Sequence, residues 1–462
     1  MREEPGVKRA DGPSAWTASQ ASAIARSAGN VVPVVQPPET DPAEDVYVWD
    51  TWLLRDPNGA VATVDGYRVV FSLTATAELL PGKRHDVAEI RYFYSRDGRQ
   101  WHDGGPVFDG GSLGQRQWAG SALYDDGAVY VYYTAAGDGE AAALTYTQRP
   151  AVAHGGRLVG TAEGLAVDGE WDHEVLFEPD GVWYETREQS SGMMYTFRDP
   201  WFFEDPATGR SYLLFEANTP VRAGSDACDG DAEARDFNGS VGVAVSPSGD
   251  PLEWELRPPL VDAVCVNQEL ERPHVVPNGG RYYLFVSSHQ HTFAPGFDGF
   301  DGLYGFVADS LFGPYEPLNG TGLVLTNPAT APYQSYSWMA HNHPDGVLVQ
   351  HFLNYHDFAG GSLDVIGELP EGEQFRRFGG TLGATVRLGV DGARTRVEGA
   401  LSPWHIPHAD EELPSREAPW SPEDRLLDAG REQGRGDRVD RNWDDLPTRG
   451  RDPSYRPGSG SH

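Results

Sequence analysis

The sequence predicts an all-β protein built as a five-bladed β-propeller with a central funnel-shaped active site. Two observations carry that expectation. From about Asp45 to Gly399, short runs of β-branched and aromatic residues alternate with Asp-Gly, Asn-Gly and Gly-Gly turns, and no long amphipathic helix interrupts them. Within this stretch a Gly-containing turn followed by an apolar strand recurs five times: DGYRVVFSLTA (65–75), DGAVYVYYTAA (126–136), GRSYLLFEA (209–217), GGRYYLFVSS (279–288) and DGVLVQHFL (345–353). The copies stand roughly 60 to 80 residues apart. That is wider than the ~40–50-residue repeats of compact propellers and fits four-stranded blades that each carry a functional loop. A pair of β-sandwiches is the competing all-β arrangement.

Three segments follow along the chain. Residues 1–44 lack periodicity and end in a Pro-rich, acidic stretch, so an extended N-terminal arm is expected. Residues 45–404 hold the five repeats and form the predicted propeller domain. Residues 405–462 are charged and rich in Gly, Arg and Asp, with little apolar material, and are expected to form a polar tail, partly disordered or wrapped on the surface.

Composition narrows the partners. At 462 residues with 39% apolar residues, the chain can bury a large core. Its 69 acidic and 36 basic residues leave a net charge of -33, which makes nucleic acid and anionic membrane poor partners. Lys8 and Lys83 are the only lysines; every other basic residue is arginine. We read that bias with the acidity as salt adaptation, because a dense carboxylate surface repels itself until molar salt shortens the screening length to about 3 Å. No run of 18 apolar residues is present, and the first residues lack the basic start and apolar run of a secretory signal. A soluble chain, acting as a monomer, is expected. Cys228 and Cys265 are too few for a disulfide scaffold or a cysteine-built metal site, and leave open one bridge or two free thiols.

The chemistry concentrates in three acids: Asp50 in VYVWDTWLL, Asp199 in TFRDPWFFED and Glu271 in QELERPHVV. Each adjoins a strand-like run. In a propeller the innermost strands line a funnel, so acids far apart in sequence can meet at one end of the axis. Glycoside cleavage with retention needs one carboxylate to attack and a protonated carboxyl about 5–5.5 Å away to protonate the leaving oxygen. Arg198 beside Asp199 and Arg272 beside Glu271 are candidates for setting which acid stays ionised. Against this, a single acid in an acidic protein is most often a solvated surface group. The HQH and HNH pairs (His289, His291, His341, His343) are read as surface or subsite histidines rather than metal ligands. No glycine-rich phosphate loop follows a strand and opens a helix, so nucleotide-dependent chemistry finds no support.

Taken in order, WDTW, QWAGSA, RDPWFFED and ELERPHVV, together with YLLFEANT (212–219) and SLFGPYEPLNGTGLVL (310–325), resemble glycoside hydrolase family 68, the levansucrases, inulosucrases and related β-fructofuranosidases. The resemblance runs from about Tyr47 to Leu325 and more weakly to the end of the fifth repeat. It implies a sucrose-dependent fructosyltransferase without an organic cofactor, with sucrose and fructan or fructooligosaccharide acceptors as partners. Asp50 would be the nucleophile, Glu271 the general acid/base, and Asp199 the stabiliser of the oxocarbenium-like transition state. Trp49 and Trp118 would wall the fructosyl subsite, Arg198 and Glu269 would bind substrate hydroxyls, and Tyr336 would hydrogen-bond near the acid/base carboxyl. Extracellular placement follows from the family tendency.

Departures from the family pattern sharpen the expectation. Ala119 stands where many relatives carry a serine whose hydroxyl bonds to the nucleophile, so Asp50 would be held by fewer bonds. His289 occupies a position where other members place arginine or histidine against the glucosyl unit or acceptor. Met193 and Gln268 stand where two calcium ligands would be expected, and a thioether is no ligand for a hard cation, so no metal is expected. A sucrose hydrolase that transfers almost only to water and a non-catalytic fructan-binding propeller are the alternatives; intact acids argue against the second. The choice between β-2,6 and β-2,1 linkage lies in loop geometry that the sequence does not expose.

Overall fold

The structure is a computed structural model that describes residues 12–413 apart from 39–40, 109, 193, 222–226 and 359–361. Strand dominates it, and the few helices are single turns or little more. Apart from a separate hairpin of Arg157–Gly160 with Leu165–Asp168, the strands fall into five mainly antiparallel groups that follow one another along the chain. Their opening strands are β1 (Val46–Arg55), β2 (Arg116–Asp125), β3 (Phe197–Glu204), β4 (Glu271–Asn278) and β5 (Ser335–His343). Each pairs with a second strand, in the same order Tyr67–Thr76, Ala128–Ala136, Ser211–Asn218, Arg281–Ser288 and Gly346–Tyr355.

Those second strands are the five repeats of the sequence. Both faces of a middle strand are covered by neighbouring groups, so it reads as a continuous apolar run; every residue of Ser211–Asn218 is buried. Three of the turns feeding them, Asp65-Gly66, Asp126-Gly127 and Gly279-Gly280, have positive φ at both central residues, the conformation that matches strand twist in a two-residue hairpin. The outer strands are polar, as His102–Pro106 and Asp172–Val175 show.

The opening strands touch in cyclic order: β1 on β2, β2 on β3, β3 on β4, β4 on β5, and β5 back on β1. Leu54 and Arg55 of β1 also pair in parallel with Ala122 and Leu123 of β2, joining the first two groups into one sheet.

Every opening strand carries a bulge at the same height. Trp49 to Trp52, Trp118 to Ser121, Arg198 to Trp201, Glu271 to His274 and Tyr336 to Met339 each set one residue more than their partner strand supplies. Asp50, Asp199, Arg272 and Ser337, just inside four of these bulges, have φ of 48°, 61°, 49° and 56°. A bulge re-aims side chains, and non-glycine residues held at positive φ cluster at functional sites.

The arm and the chain end are both packed. Ser14 and Ala15 extend the third group in parallel with Val261 and Asp262, and buried Trp16 packs on Phe293, Tyr304 and Phe306 of the fourth. The folded unit also continues past Trp404: Ile406 and Leu413 are buried apolar residues that the surrounding charge disguises in the sequence. Residues 404–413 bridge the first and fifth groups, with Trp101 Nε1 donating to Trp404 O at 2.6 Å and Leu413 N donating to Asp345 at 3.1 Å. Gly98 permits the approach, since a Cβ there would lie 2.0 Å from Ile406 O. The rest of the polar stretch lies outside the described residues.

Cys228 and Cys265 form a disulfide across 37 residues, with Cα atoms 5.4 Å apart. A loop of that length gains about 3–4 kcal/mol in the chain-entropy account.

Candidate active site

The bulges build the site. A pocket of about 670 Å³, open mouth included, lies over them and is lined by Asp50, Trp118, Ala119, Arg198, Asp199, Glu271 and Tyr336. All seven come from bulges, at least one from each opening strand. Leu73, Arg84, His85, Met194, Glu269 and Phe352 contribute to the walls, as do His289 and His291.

At the centre stands the buried Arg198 guanidinium. Its Nε donates to Glu216 at 2.7 Å, and its Nη2 donates to Glu269 at 3.1 Å and to Glu271 at 2.8 Å. Asp199 is 3.9 Å away. One cation therefore faces four carboxyls, and burial decides the excess. Burial, opposed by Arg198 and reinforced by Glu271 and Asp50, lifts Asp199 to about 7. Burial lifts Glu216 to about 8, again against Arg198. Glu269 is driven up by burial and then by Glu271 and Glu216. The cluster thus retains protons near neutrality, because desolvation and like charges together outweigh one guanidinium.

This corrects the expected pairing. Arg198 serves the glutamates more closely than its neighbour Asp199. Arg272 does not pair with Glu271: its guanidinium turns to Ser337 Oγ at 2.6 Å and Thr51 O at 2.6 Å. Its backbone N–H, re-aimed by the bulge, donates to Asp199 Oδ2 at 3.1 Å. Asp199 N in turn donates to Thr134 Oγ1 at 2.9 Å.

Tyr336 donates to Glu271 Oε2 at 2.5 Å, and burial with Glu269 and Glu271 nearby keeps its phenol protonated. His289 stacks on Tyr336 with centroids 3.6 Å apart, and its Nδ1 meets Asp301 at 3.0 Å. Trp118 anchors to His85 O through Nε1 at 3.2 Å. Trp49 differs from its expected place on the wall: it is fully buried behind His85, whose ring meets it edge-on at 5.4 Å. Ala119 lines the same pocket as Asp50.

Histidines of the HNH pair lie away from the pocket. His341 is buried, and desolvation pulls it down to about 3; His343 contacts His408 O. A possible ligand set for a metal, Glu269, Glu271 and His289, brings its donor atoms within 4.8 Å of one another, but Arg198 already supplies the positive charge to both glutamates. Of the two residues behind the calcium expectation, Met193 lies outside the described residues; Gln268 donates through Nε2 to Met194 O at 2.7 Å, fixing that wall.

Sequence reasoning passed over Glu216, Arg84, His85 and Met194. For Glu216 a signal existed. Aligning the five second strands at the bulge puts Leu73, Thr134, Glu216, Ser287 and Phe352 in equivalent positions, and only one of them is charged.

Comparison with known proteins agrees with this geometry. The family model described as Levansucrase/Invertase, of glycoside hydrolase family 68, matches residues 7–403. A levansucrase from Rahnella aquatilis is 36% identical over 427 residues, covering 86% of this chain and 96% of the relative. An extracellular sucrase from Zymomonas mobilis is 36% identical over 386 residues, covering 79% and 87%. Among solved structures, an inulosucrase from Halalkalicoccus jeotgali bound to kestose superposes with a TM-score of 0.86 at 60% identity, covering 87% of this chain and 99% of that one. The levansucrase of Gluconacetobacter diazotrophicus follows the same course, with a TM-score of 0.70 at 27% identity over 91% and 96%. A bulged ring of opening strands that gathers Asp50, Asp199 and Glu271 in one pocket, and a family match along most of its length, make this chain a member of glycoside hydrolase family 68.

Proposed function

We propose that the protein is a sucrose-dependent fructosyltransferase of the levansucrase and inulosucrase kind. The observation that carries the reading is the convergence of Asp50, Asp199 and Glu271, from three separate strand groups, in one pocket. The cyclic contacts of β1 to β5 support a five-bladed propeller, over about residues 45–404, with this pocket as the mouth of its central funnel.

Asp50 attacks the anomeric carbon of the fructosyl unit and forms a covalent fructosyl-enzyme. Glu271, in contact with Arg198 and Tyr336 and beside proton-rich Glu269, protonates the departing glucose oxygen and then takes a proton from the acceptor. Asp199 steadies the positive charge that grows on the ring. Trp118, Arg198, Glu269 and His289 contact the sugar, with Trp49 supporting them from behind. The acceptor is a fructooligosaccharide, a growing fructan or water.

The disulfide suits an oxidising, extracellular setting, and the charge of -33 suits a monomer kept apart from its copies and active in high salt. The test is incubation with concentrated sucrose in molar salt, measuring glucose, fructose and oligomers together. Glucose in excess over fructose, with oligomers, is the expected result; equal amounts establish a hydrolase, and no cleavage overturns the reading.

A further inference from the structure

Glu216 is fully buried on the second strand of the third group, directly opposite Arg198 in the strand pairing. Its Oε2 takes the Arg198 Nε–H at 2.7 Å, whereas its Oε1 is buried without a hydrogen-bond partner. Glu216 does not line the pocket. A buried carboxyl with one oxygen unpaired is costly to fold, so its presence here points to a role toward its partner. The charged groups that face it are Arg198, Glu269, Glu271 and Asp199.

The partner's geometry shows what that is. Arg198 Nε and Nη2 share one edge of the guanidinium, and the planar group turns as a unit. Anchoring Nε to Glu216 therefore fixes where Nη2 lies, and Nη2 is the atom that bridges Glu269 and Glu271. Without Glu216 the guanidinium could rotate toward Asp199, 3.9 Å from Nε, and leave the acid/base carboxyl.

We propose that Glu216 is a positioning residue for the acid/base step, holding Arg198 so that it bridges Glu269 and Glu271. This rests on the fructosyltransferase reading and extends it to a residue that never touches substrate. The burial-driven rise of Glu216 to about 8 agrees with its place in a proton-sharing cluster.

Two substitutions test the hold on Arg198. Glu216→Gln keeps the shape but replaces the carboxyl acceptor of Nε with an amide, so kcat for sucrose should fall and the alkaline limb of its pH profile should move to higher pH as the cation leaves the acid/base carboxyl. Glu216→Asp shortens the side chain and withdraws it from Nε, so kcat should fall about 10–100-fold with the limb moved the same way. KM should change less than kcat in both, and thermal melting verifies folding. Unchanged kcat and pH profile in a folded Glu216→Gln protein would overturn the proposal, whatever its melting temperature. Should that variant not fold, the Glu216→Asp result decides in its place: normal kcat refutes the positioning role. The wild-type protein run in parallel keeps the two readings apart. If it does not cleave sucrose, the function falls and this inference with it; wild-type turnover with indifferent variants defeats the inference alone.

Discussion

The same opening strands carry two sets of buried titratable side chains, and the contrast between them separates a site from a core. At the bulges, Asp199 and Glu271 meet Arg198 beneath an open pocket. A few residues further along, His274 on β4 and His341 on β5 sit wholly inside the protein. Burial raises Asp199 to about 7 and lowers His274 and His341 to about 3. His274 is fixed by two backbone groups, Nδ1 against Arg272 O at 2.8 Å and Nε2 accepting from Ala340 N at 2.8 Å. It has no proton to exchange and no ligand to meet. A shifted pKa alone therefore does not mark chemistry; a shift shared among like charges around one cation at a cavity does.

Breaking each side should give opposite signatures. The largest effect belongs to the pocket: Asp50→Ala or Glu271→Ala should lower kcat/KM for sucrose by about 10³–10⁶-fold while thermal melting stays near wild type. Tyr336→Phe removes one donor to Glu271 and should cost about 10–100-fold in kcat. On the core side, His274→Leu strands the Arg272 carbonyl and the Ala340 N–H. It should lose about 2–4 kcal/mol of stability by denaturant titration, with a smaller loss of activity.

The pH dependence of stability sharpens the comparison. Asp199 and Glu216 have folded pKa values near 7 and 8, above their unfolded values, so their contribution is complete below about pH 4 and is lost as pH rises through 7 to 8. His274 and His341 run the other way: their contribution is present above about pH 6.5 and is lost as pH falls toward 3. Melting temperature should therefore decline from about pH 6.5 to pH 8 and level off above, and Asp199→Asn should flatten that decline. A decline unchanged in Asp199→Asn would place its origin outside the cluster. The smallest and most diffuse effect is the surface one: the charge of -33 predicts a melting temperature that rises from millimolar to molar salt.

How much of this the sequence disclosed follows from the range of each interaction. Asp50, Asp199 and Glu271 were legible because each sits in a local motif, and the five second strands were legible because turn chemistry and burial on both faces leave a short-range pattern. The bulges were not, since an extra residue is defined only against a partner strand; hence the misassigned partner of Arg272 and the wall position expected of Trp49. Glu216 was hidden among the apolar residues of YLLFEANT, and its meaning depends on Arg198 across the pair. Ile406 and Leu413 were lost in a charged stretch whose average composition reads as tail. The pairing of Cys228 with Cys265 needed the fold to bring their Cα atoms to 5.4 Å.

The central claim is that Asp50 holds the fructosyl unit covalently. Rapid acid quenching of the enzyme during sucrose turnover, followed by proteolysis and mass spectrometry, tests it most directly. One added fructosyl residue is expected on the peptide that contains Asp50 and is absent from Asp50→Asn; active turnover with the adduct on Asp199 or Glu271 instead would refute the assignment of Asp50.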